Sequence, residues 1–217
     1  FISNVEEYPT ETLFKKIAFL RVPIRLGEDV FTTGEIGQQK GKRLCETMQG
    51  FSYIMSAFNV ESYKAYATCA MREARNGKSV AEQIQKECDL NIEIISGTKE
   101  AETIFAGGMN EVVDDDKTYL YVDVGGGSTE VIVYSKSVKV EACSFPLGTV
   151  RMLNDAVDKE EMKHFKKWLK NITEKYTPDA IIGSGGNINK IHKLLNKKER
   201  ERITYQELDL SLIHISE

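Results

Sequence analysis

The segment Tyr119-Leu-Tyr-Val-Asp-Val-Gly-Gly-Gly-Ser-Thr-Glu-Val-Ile-Val-Tyr134 constrains this chain more than any other. Two apolar runs flank three consecutive glycines, with Asp123 just before the turn and Glu130 just after it. In a dinucleotide-binding fingerprint such a turn leads from a strand into a helix. Here Thr129–Tyr134 is rich in β-branched residues and reads as a second strand, so the glycines close a β-hairpin. One glycine commonly suffices in a hairpin turn, and three plus Ser128 exceed that need. An ordinary tight hairpin is the plainer alternative. The more specific reading is that Gly125, Gly126, Gly127 and Ser128 let an anion approach backbone N–H groups closely and tolerate positive φ. Mg²⁺ or another divalent cation takes one or two carboxylates together with phosphate oxygens and water, which Asp123 and Glu130 could supply. Within a hairpin, however, only one of the two acids need face a ligand.

A second glycine turn supports the first. Asp179-Ala-Ile-Ile-Gly-Ser-Gly-Gly-Asn-Ile-Asn-Lys-Ile-His-Lys-Leu-Leu reads as a short strand, a turn over 183–186, and a helix with Ile188, Ile191, Leu194 and Leu195 on one face. Gly185 and Gly186 then stand at a helix N-terminus, where unpaired N–H groups and the dipole favour an anion. Alone this motif is weak. With the first turn it suggests two jaws around one phosphorylated ligand.

The chain of 217 residues suits one large or two small domains, and its net charge of −4 gives no bulk attraction to nucleic acid polymers or membranes. No apolar run is long enough to span a bilayer, and no signal peptide is visible. Cys45, Cys69, Cys88 and Cys143 lack CxxC spacing and read as reduced thiols of a cytoplasmic protein. Phe1 is not an initiator Met, and Leu210–Glu217 breaks off in an apolar stretch, so the chain reads as a piece of a longer one.

Along the chain, residues 1–28 read as strand and turn, with Pro23 at an edge. Thr33–Phe58 reads as a helix burying Leu44, Met48, Phe51 and Met55. Ser62–Thr68 and Asn91–Ile95 read as strands, with a helix over Lys78–Cys88 between them. Lys99–Ala106 is a helix stopped by Gly107-Gly108. The acidic connection Asp114–Lys117 is the candidate boundary between domains at 1–116 and 117–217. Lys136–Cys143 continues the sheet, and Asp158 caps a helix to Tyr176 carrying Met162, Phe165, Leu169, Ile172 and Tyr176 on one face. Lys197–Arg202 reads as a solvated helix end of mixed charge.

Glu100 is the sharpest catalytic candidate, in the first turn of a helix directly after a strand and Ser96-Gly97-Thr98. A carboxylate there points into the usual crevice of an α/β protein and could orient or deprotonate water. Complementing the helix dipole is an equal reading from spacing alone, and Glu102 reads as structural. Arg72, four residues past a strand, could hold phosphate oxygens bidentately; pairing with Glu73 or another neighbour on the surface is the simpler reading of its position. Arg25 and Arg151 carry weaker versions of the same idea.

Taken in order, Arg21-Val-Pro-Ile-Arg-Leu-Gly27, Ala67-Thr-Cys-Ala-Met-Arg-Glu-Ala74, Glu93-Ile-Ile-Ser-Gly-Thr-Lys-Glu-Ala101, Val122–Glu130 and Gly183-Ser-Gly-Gly186 resemble the exopolyphosphatase / guanosine pentaphosphate phosphohydrolase family over nearly the whole chain. The resemblance implies an actin-like, sugar-kinase-like (ribonuclease H-like) α/β fold of two domains around a cleft. It implies phosphoanhydride hydrolysis with a divalent metal, usually Mg²⁺, on inorganic polyphosphate or guanosine penta- or tetraphosphate, and a homodimer. By motif it puts Glu100 in the place of the catalytic glutamate. Asp123 and Glu130 take the places of the acids that handle metal and phosphate, and Arg72 that of a phosphate-binding arginine. Two departures stand out. The family's first phosphate loop, of the form Asp-x-Gly-Ser-Asn-Ser, is not in this sequence, and neither are the first strands and the C-terminal part of the fold; the chain alone is therefore expected to have little or no activity. Asn187 also stands where relatives commonly carry Thr. A non-catalytic sensor of the same fold, or a kinase or ATPase, are the rival readings.

Overall fold

The computed structural model describes residues 1–8, 12–106, 114, 116–198 and 201–209. The expected helix stop at Gly107-Gly108 and the apolar end Leu210–Glu217 lie outside the described residues, as does Asp115 of the acidic connection. The chain divides into two compact units, Phe1–Ile95 and Ser96–Glu217. This division falls ahead of the acidic connection at 114–117. The helix that carries Glu100 belongs to the second unit because it packs on that unit's sheet.

The first unit opens with an antiparallel hairpin, β1 (Ile2–Glu7) and β2 (Thr12–Ala18). Residues 1–28 were expected to hold only strand and turn, but α1 already starts at Leu26 and runs to Thr33. It enters through Arg25 in the left-handed region (φ 57°) and leaves through Gly34 at φ 79°. Gly34 ends α1, and α2 (Gln38–Ala57) lies within the helix expected over Thr33–Phe58. Asn76 holds the junction from outside: its side chain accepts from Ile36 N and donates to Ile36 O, both at 2.9 Å. β3 (Ala65–Ala67) and β4 (Ile92–Ile94) pair in parallel, with α3 (Cys69–Glu73) and α4 (Gly77–Cys88) between them in sequence. The core gathers Val30, Ile36, Cys45, Met71, Val80, Ile84 and Cys88; Leu44, Met48 and Met55 pack against it as expected. Burial pushes the Cys45, Cys88 and Cys143 thiols up, in keeping with unreactive thiols.

The second unit starts with α5 (Gly97–Ala106), followed by β5 (Thr118–Val124), β6 (Thr129–Ser135) and β7 (Val138–Phe145). The glycines do close a hairpin, since β5 and β6 are antiparallel with Val124 opposite Thr129. Lys136 and Ser137, both at positive φ, form the next turn rather than the start of β7. α6 (Thr149–Leu153) and α7 (Lys159–Tyr176) come next, then β8 (Ala180–Ser184) and α8 (Gly186–Leu194). Asp158 caps α7 by accepting from Glu160 N at 2.8 Å. The sheet order is β7-β6-β5-β8, with β8 parallel to β5.

Strand alternation assigns the two faces of this sheet. Leu120, Val131, Val133 and Phe145 face α7 and meet Phe165, Trp168, Leu169 and Ile172. Phe145 is nearly fully buried, with the Phe165 and Trp168 rings edge-on to it at 5.0 and 5.5 Å. Truncating it to alanine removes the centre of this layer, at a cost of about 3–5 kcal/mol. On the opposite face, Tyr121, Ile132 and Tyr134 pack with Ala101 of α5. The result is three layers, helix on sheet on helix, with the buried carboxylates Asp123 and Glu130 on the α5 face.

Candidate functional site

The register of the second sheet lines up its polar residues. Ser144 of β7 stands opposite Glu130 of β6, Glu130 opposite Asp123 of β5, and Asp123 opposite Ser184 of β8. Directly opposed residues share a face, so these four side chains form one row across all four strands. The row immediately inside it is Ala142, Ile132, Tyr121 and Ile182, largely apolar. The sequence left open whether both acids could face one ligand. Four residues between Val124 and Thr129 set the register so that both side chains lie on one face of the sheet.

Both acids are buried, Asp123 to 7% and Glu130 to 1% exposure. Burial pushes the Asp123 carboxyl up from its ordinary value, and a hydrogen bond from Ser184 pulls the other way. Ser144 Oγ donates to Glu130 Oε1 at 2.8 Å. Each acid is thus braced by a serine on its outer side. Tyr121, in the next row of the same face, has its phenol pushed up to about 12 by burial and stays neutral.

Both glycine turns emerge at this end of the sheet, where β5 and β8 finish and β6 begins. In the first, Gly125 N donates to Ser128 O at 2.9 Å. Its three carbonyls are drawn back by the chain at the start of α6. Thr149 N donates to Gly125 O at 3.0 Å, Val150 N to Gly126 O at 2.8 Å, and Arg151 Nε to Gly127 O at 2.6 Å. Among the described residues no acceptor takes the N–H of Gly126, Gly127 or Ser128. Positive φ, expected as one reason for the glycines, is not what they supply: among the described glycines only Gly34 and Gly185 adopt it. The reason is proximity. A Cβ on Gly148 would lie 2.4 Å from the Gly126 carbonyl carbon and 2.5 Å from Gly127 N, so the crossing segment lies directly on the turn.

In the second turn Gly185 has φ 101°, and a Cβ there would lie 2.8 Å from Val124 O and 3.2 Å from Asp123 Oδ1. Only glycine fits. Gly186 is the first residue of α8, whose N-terminus therefore opens beside Asp123.

Glu100 lies in the first turn of α5, with its N–H bonded to Ser96 O at 2.9 Å and its Oε2 atom shielded from solvent. That turn sits on the polar row: a Cβ on Gly97 would lie 2.3 Å from Ser144 Oγ and 3.0 Å from Glu130 Oε1. The structure therefore gathers Glu100, Asp123, Glu130, both glycine turns and Arg151 within the second unit. Arg72 belongs to the first unit, where its NH1 donates to Ile95 O at 2.7 Å.

The sequence profile of the Ppx/GppA phosphatase family matches residues 5–212. The chain belongs to that family. Among its relatives, exopolyphosphatase 1 of Mycobacterium tuberculosis is 24% identical over 190 residues, covering 80% of this chain and 54% of the relative. The guanosine-5'-triphosphate,3'-diphosphate pyrophosphatase of Aeromonas hydrophila is 24% identical over 198 residues, covering 85% of this chain and 40% of the relative. The chain therefore spans about half, or less, of the length of these relatives. The crystal structure of an exopolyphosphatase from Cytophaga hutchinsonii superposes with a TM-score of 0.77 at 24% identity, over 94% of this chain and 69% of the other. The fold is accordingly the α/β fold of the Ppx/GppA phosphatases.

For a Ppx/GppA chain, the acid pair is the natural place to test for a cation. Two buried carboxylates on opposed strands repel each other, and a hard divalent ion with oxygen preference offsets that repulsion. The residues fit such an ion. Among the described residues no group of three or more His, Cys, Asp or Glu side chains gathers, so phosphate and water oxygens would complete the coordination. Sequence reading missed three supporting residues: Ser144, Ser184 and Gly148. The two serines become visible only once strand register is known, and Gly148 only through the crossing of two segments.

Proposed function

We propose that the chain carries the phosphoryl-binding and hydrolytic centre of a phosphoanhydride hydrolase, which releases terminal phosphate from inorganic polyphosphate or guanosine pentaphosphate. The observation that carries this reading is the meeting, at one end of one sheet, of a buried acid pair, two glycine turns and the first turn of the Glu100 helix. The names of the relatives, one a polyphosphatase and one a pentaphosphate pyrophosphatase, support the substrate class.

In this reading the N–H groups of Gly126, Gly127 and Ser128 receive the terminal phosphoryl oxygens. The start of α8 at Gly185-Gly186 faces the same anion. Asp123 and Glu130 would hold a divalent cation, Mg²⁺, which would supply charge neutralisation at the phosphoryl oxygens. Glu100 orients a water and takes its proton as the water oxygen bonds to phosphorus and the bridging P–O bond breaks, freeing orthophosphate. Catalysis of this kind rests on positioning and electrostatics more than on covalent chemistry by the protein.

The test is phosphate release from both substrates by the full protein. Glu100→Gln is expected to lower turnover by roughly 10²–10⁴-fold with substrate binding retained. Near-wild-type turnover removes Glu100 from the role. Tight binding by the unaltered protein without phosphate release points instead to a sensor of the same fold.

A further inference from the structure

The structure assigns Arg151 a positioning role: its guanidinium closes a clamp that holds the Gly125–Ser128 turn with its carbonyls turned back and its N–H groups presented to an anion. This deepens the phosphoryl-binding reading above and rests on it for the identity of the anion, though not for the clamp itself.

A glycine run has no side chains to fix it, and each glycine surrenders more backbone freedom on ordering than any other residue. Something else must decide which way its peptide planes face. Here the crossing segment does so with a full set of bonds. Thr149 N takes the Gly125 carbonyl, with Thr149 Oγ1 a longer second donor at 3.4 Å. Val150 N and Arg151 N both reach the Gly126 carbonyl, at 2.8 and 3.3 Å. Backbone donors thus hold the first two glycines, and any residue type could supply them. The third carbonyl, of Gly127, is held by a side chain alone, Arg151 Nε at 2.6 Å. Among the described residues Arg151 is therefore the side chain whose identity governs the Gly127 carbonyl. The segment itself is anchored where Thr129 Oγ1 donates to Leu147 O at 2.5 Å, and Gly148 allows it to lie flat on Gly126 and Gly127.

The peptide plane that carries the Gly127 carbonyl also carries the Ser128 N–H, because the two groups belong to one rigid amide. Fixing Gly127 O on one side fixes Ser128 N–H on the other. In the same way, Val150 N and Arg151 N on Gly126 O fix the Gly127 N–H, and Thr149 N on Gly125 O fixes the Gly126 N–H. Three carbonyls pulled to one side thus aim three consecutive amides to the other. Arg151 acts on an anion through the turn and need not touch it.

Two variants and two readouts test this on the full protein with ¹⁵N-labelled glycine and serine. Arg151→Met keeps the aliphatic stem and removes the donor; Arg151→Lys keeps a charge but has no Nε donor in that geometry. With no ligand present, both are expected to lower the Ser128 amide order parameter from about 0.85 toward about 0.6, leaving Gly126, held by Thr149 N, nearly unchanged. Pyrophosphate, titrated calorimetrically, is expected to bind about tenfold more weakly in both variants. Thermal unfolding shows whether either variant has lost its fold, and the other then serves. An unchanged Ser128 order parameter in a folded variant overturns the clamp. Restoration of affinity by lysine overturns positioning in favour of direct charge contact. If the unaltered protein binds no pyrophosphate, the phosphoryl-binding reading fails, while the order parameters still decide the clamp.

Discussion

Replacing Asp123 by asparagine should stabilise the metal-free protein while destroying the cation site. Asp123 and Glu130 stand directly opposite each other on β5 and β6, both buried. Opposed side chains of this kind put their Cβ atoms about 5 Å apart. Two unit charges at that separation, in an effective dielectric of about 20, would repel by at most roughly 3 kcal/mol. Partial protonation relieves some of this, since burial already holds the Asp123 carboxyl above its ordinary value. A net gain of about 1–3 kcal/mol remains for the asparagine variant, which keeps the volume and a partner for Ser184. For a unit of this size, that is a rise of roughly 3–10 °C in melting temperature. The sign with pH follows from the direction of the shift. A carboxyl whose folded value lies above its unfolded value costs stability once pH exceeds the folded value, and costs nothing below the unfolded one. The advantage of the variant should therefore be full at pH 8 and vanish on acidification through the carboxylate range. Melting followed by circular dichroism in EDTA, then in Mg²⁺, is the assay. Mg²⁺ should raise the melting temperature of the unaltered protein and not that of Asp123→Asn. A variant no more stable than the parent at pH 8 in EDTA, or one stabilised equally by Mg²⁺, refutes the opposed-acid argument.

Ser144→Ala removes the donor that braces Glu130 and is expected to weaken Mn²⁺ binding, read by electron paramagnetic resonance, several-fold; Ser144→Thr, which keeps a hydroxyl, should restore it. Tyr121 and Tyr134, both pushed up to about 12 by burial, should stay un-ionised in the folded protein when ordinary tyrosines titrate near pH 10. Because the unfolded chain then ionises first, stability should fall as pH rises above about 10, with a matching lag in tyrosinate absorbance.

Much of the second unit was legible before any coordinates. The strand-glycine-strand pattern, the cap at Asp158 and the glycine-led start of α8 are local signals, and local chemistry decides them. The placing of Asp123 and Glu130 beside a glycine turn was equally legible, but not their facing one way, which is a consequence of register. Ser144 and Ser184 gave no sign because each is an ordinary serine until the strands align them with the acids. α1 was missed because Arg25 enters it from a left-handed conformation, with no side-chain cap to announce it. The unit division at Ile95/Ser96 follows from where α5 packs, on β6 and β7, a tertiary preference that its own residues do not advertise. Arg151 was read as a candidate for phosphate because arginine so often serves there; its bond to the Gly127 carbonyl became visible only with the crossing of two segments.

A crystal structure of the full protein with pyrophosphate and Mn²⁺ addresses the core proposition most directly. The terminal phosphoryl group should lie about 3 Å from the amide nitrogens of Gly126, Gly127 and Ser128, with an anomalous Mn²⁺ peak against the Asp123 and Glu130 carboxylates and the Glu100 carboxylate facing phosphorus across one water. Pyrophosphate bound elsewhere, with the turn amides unoccupied and no metal between the two acids, contradicts it.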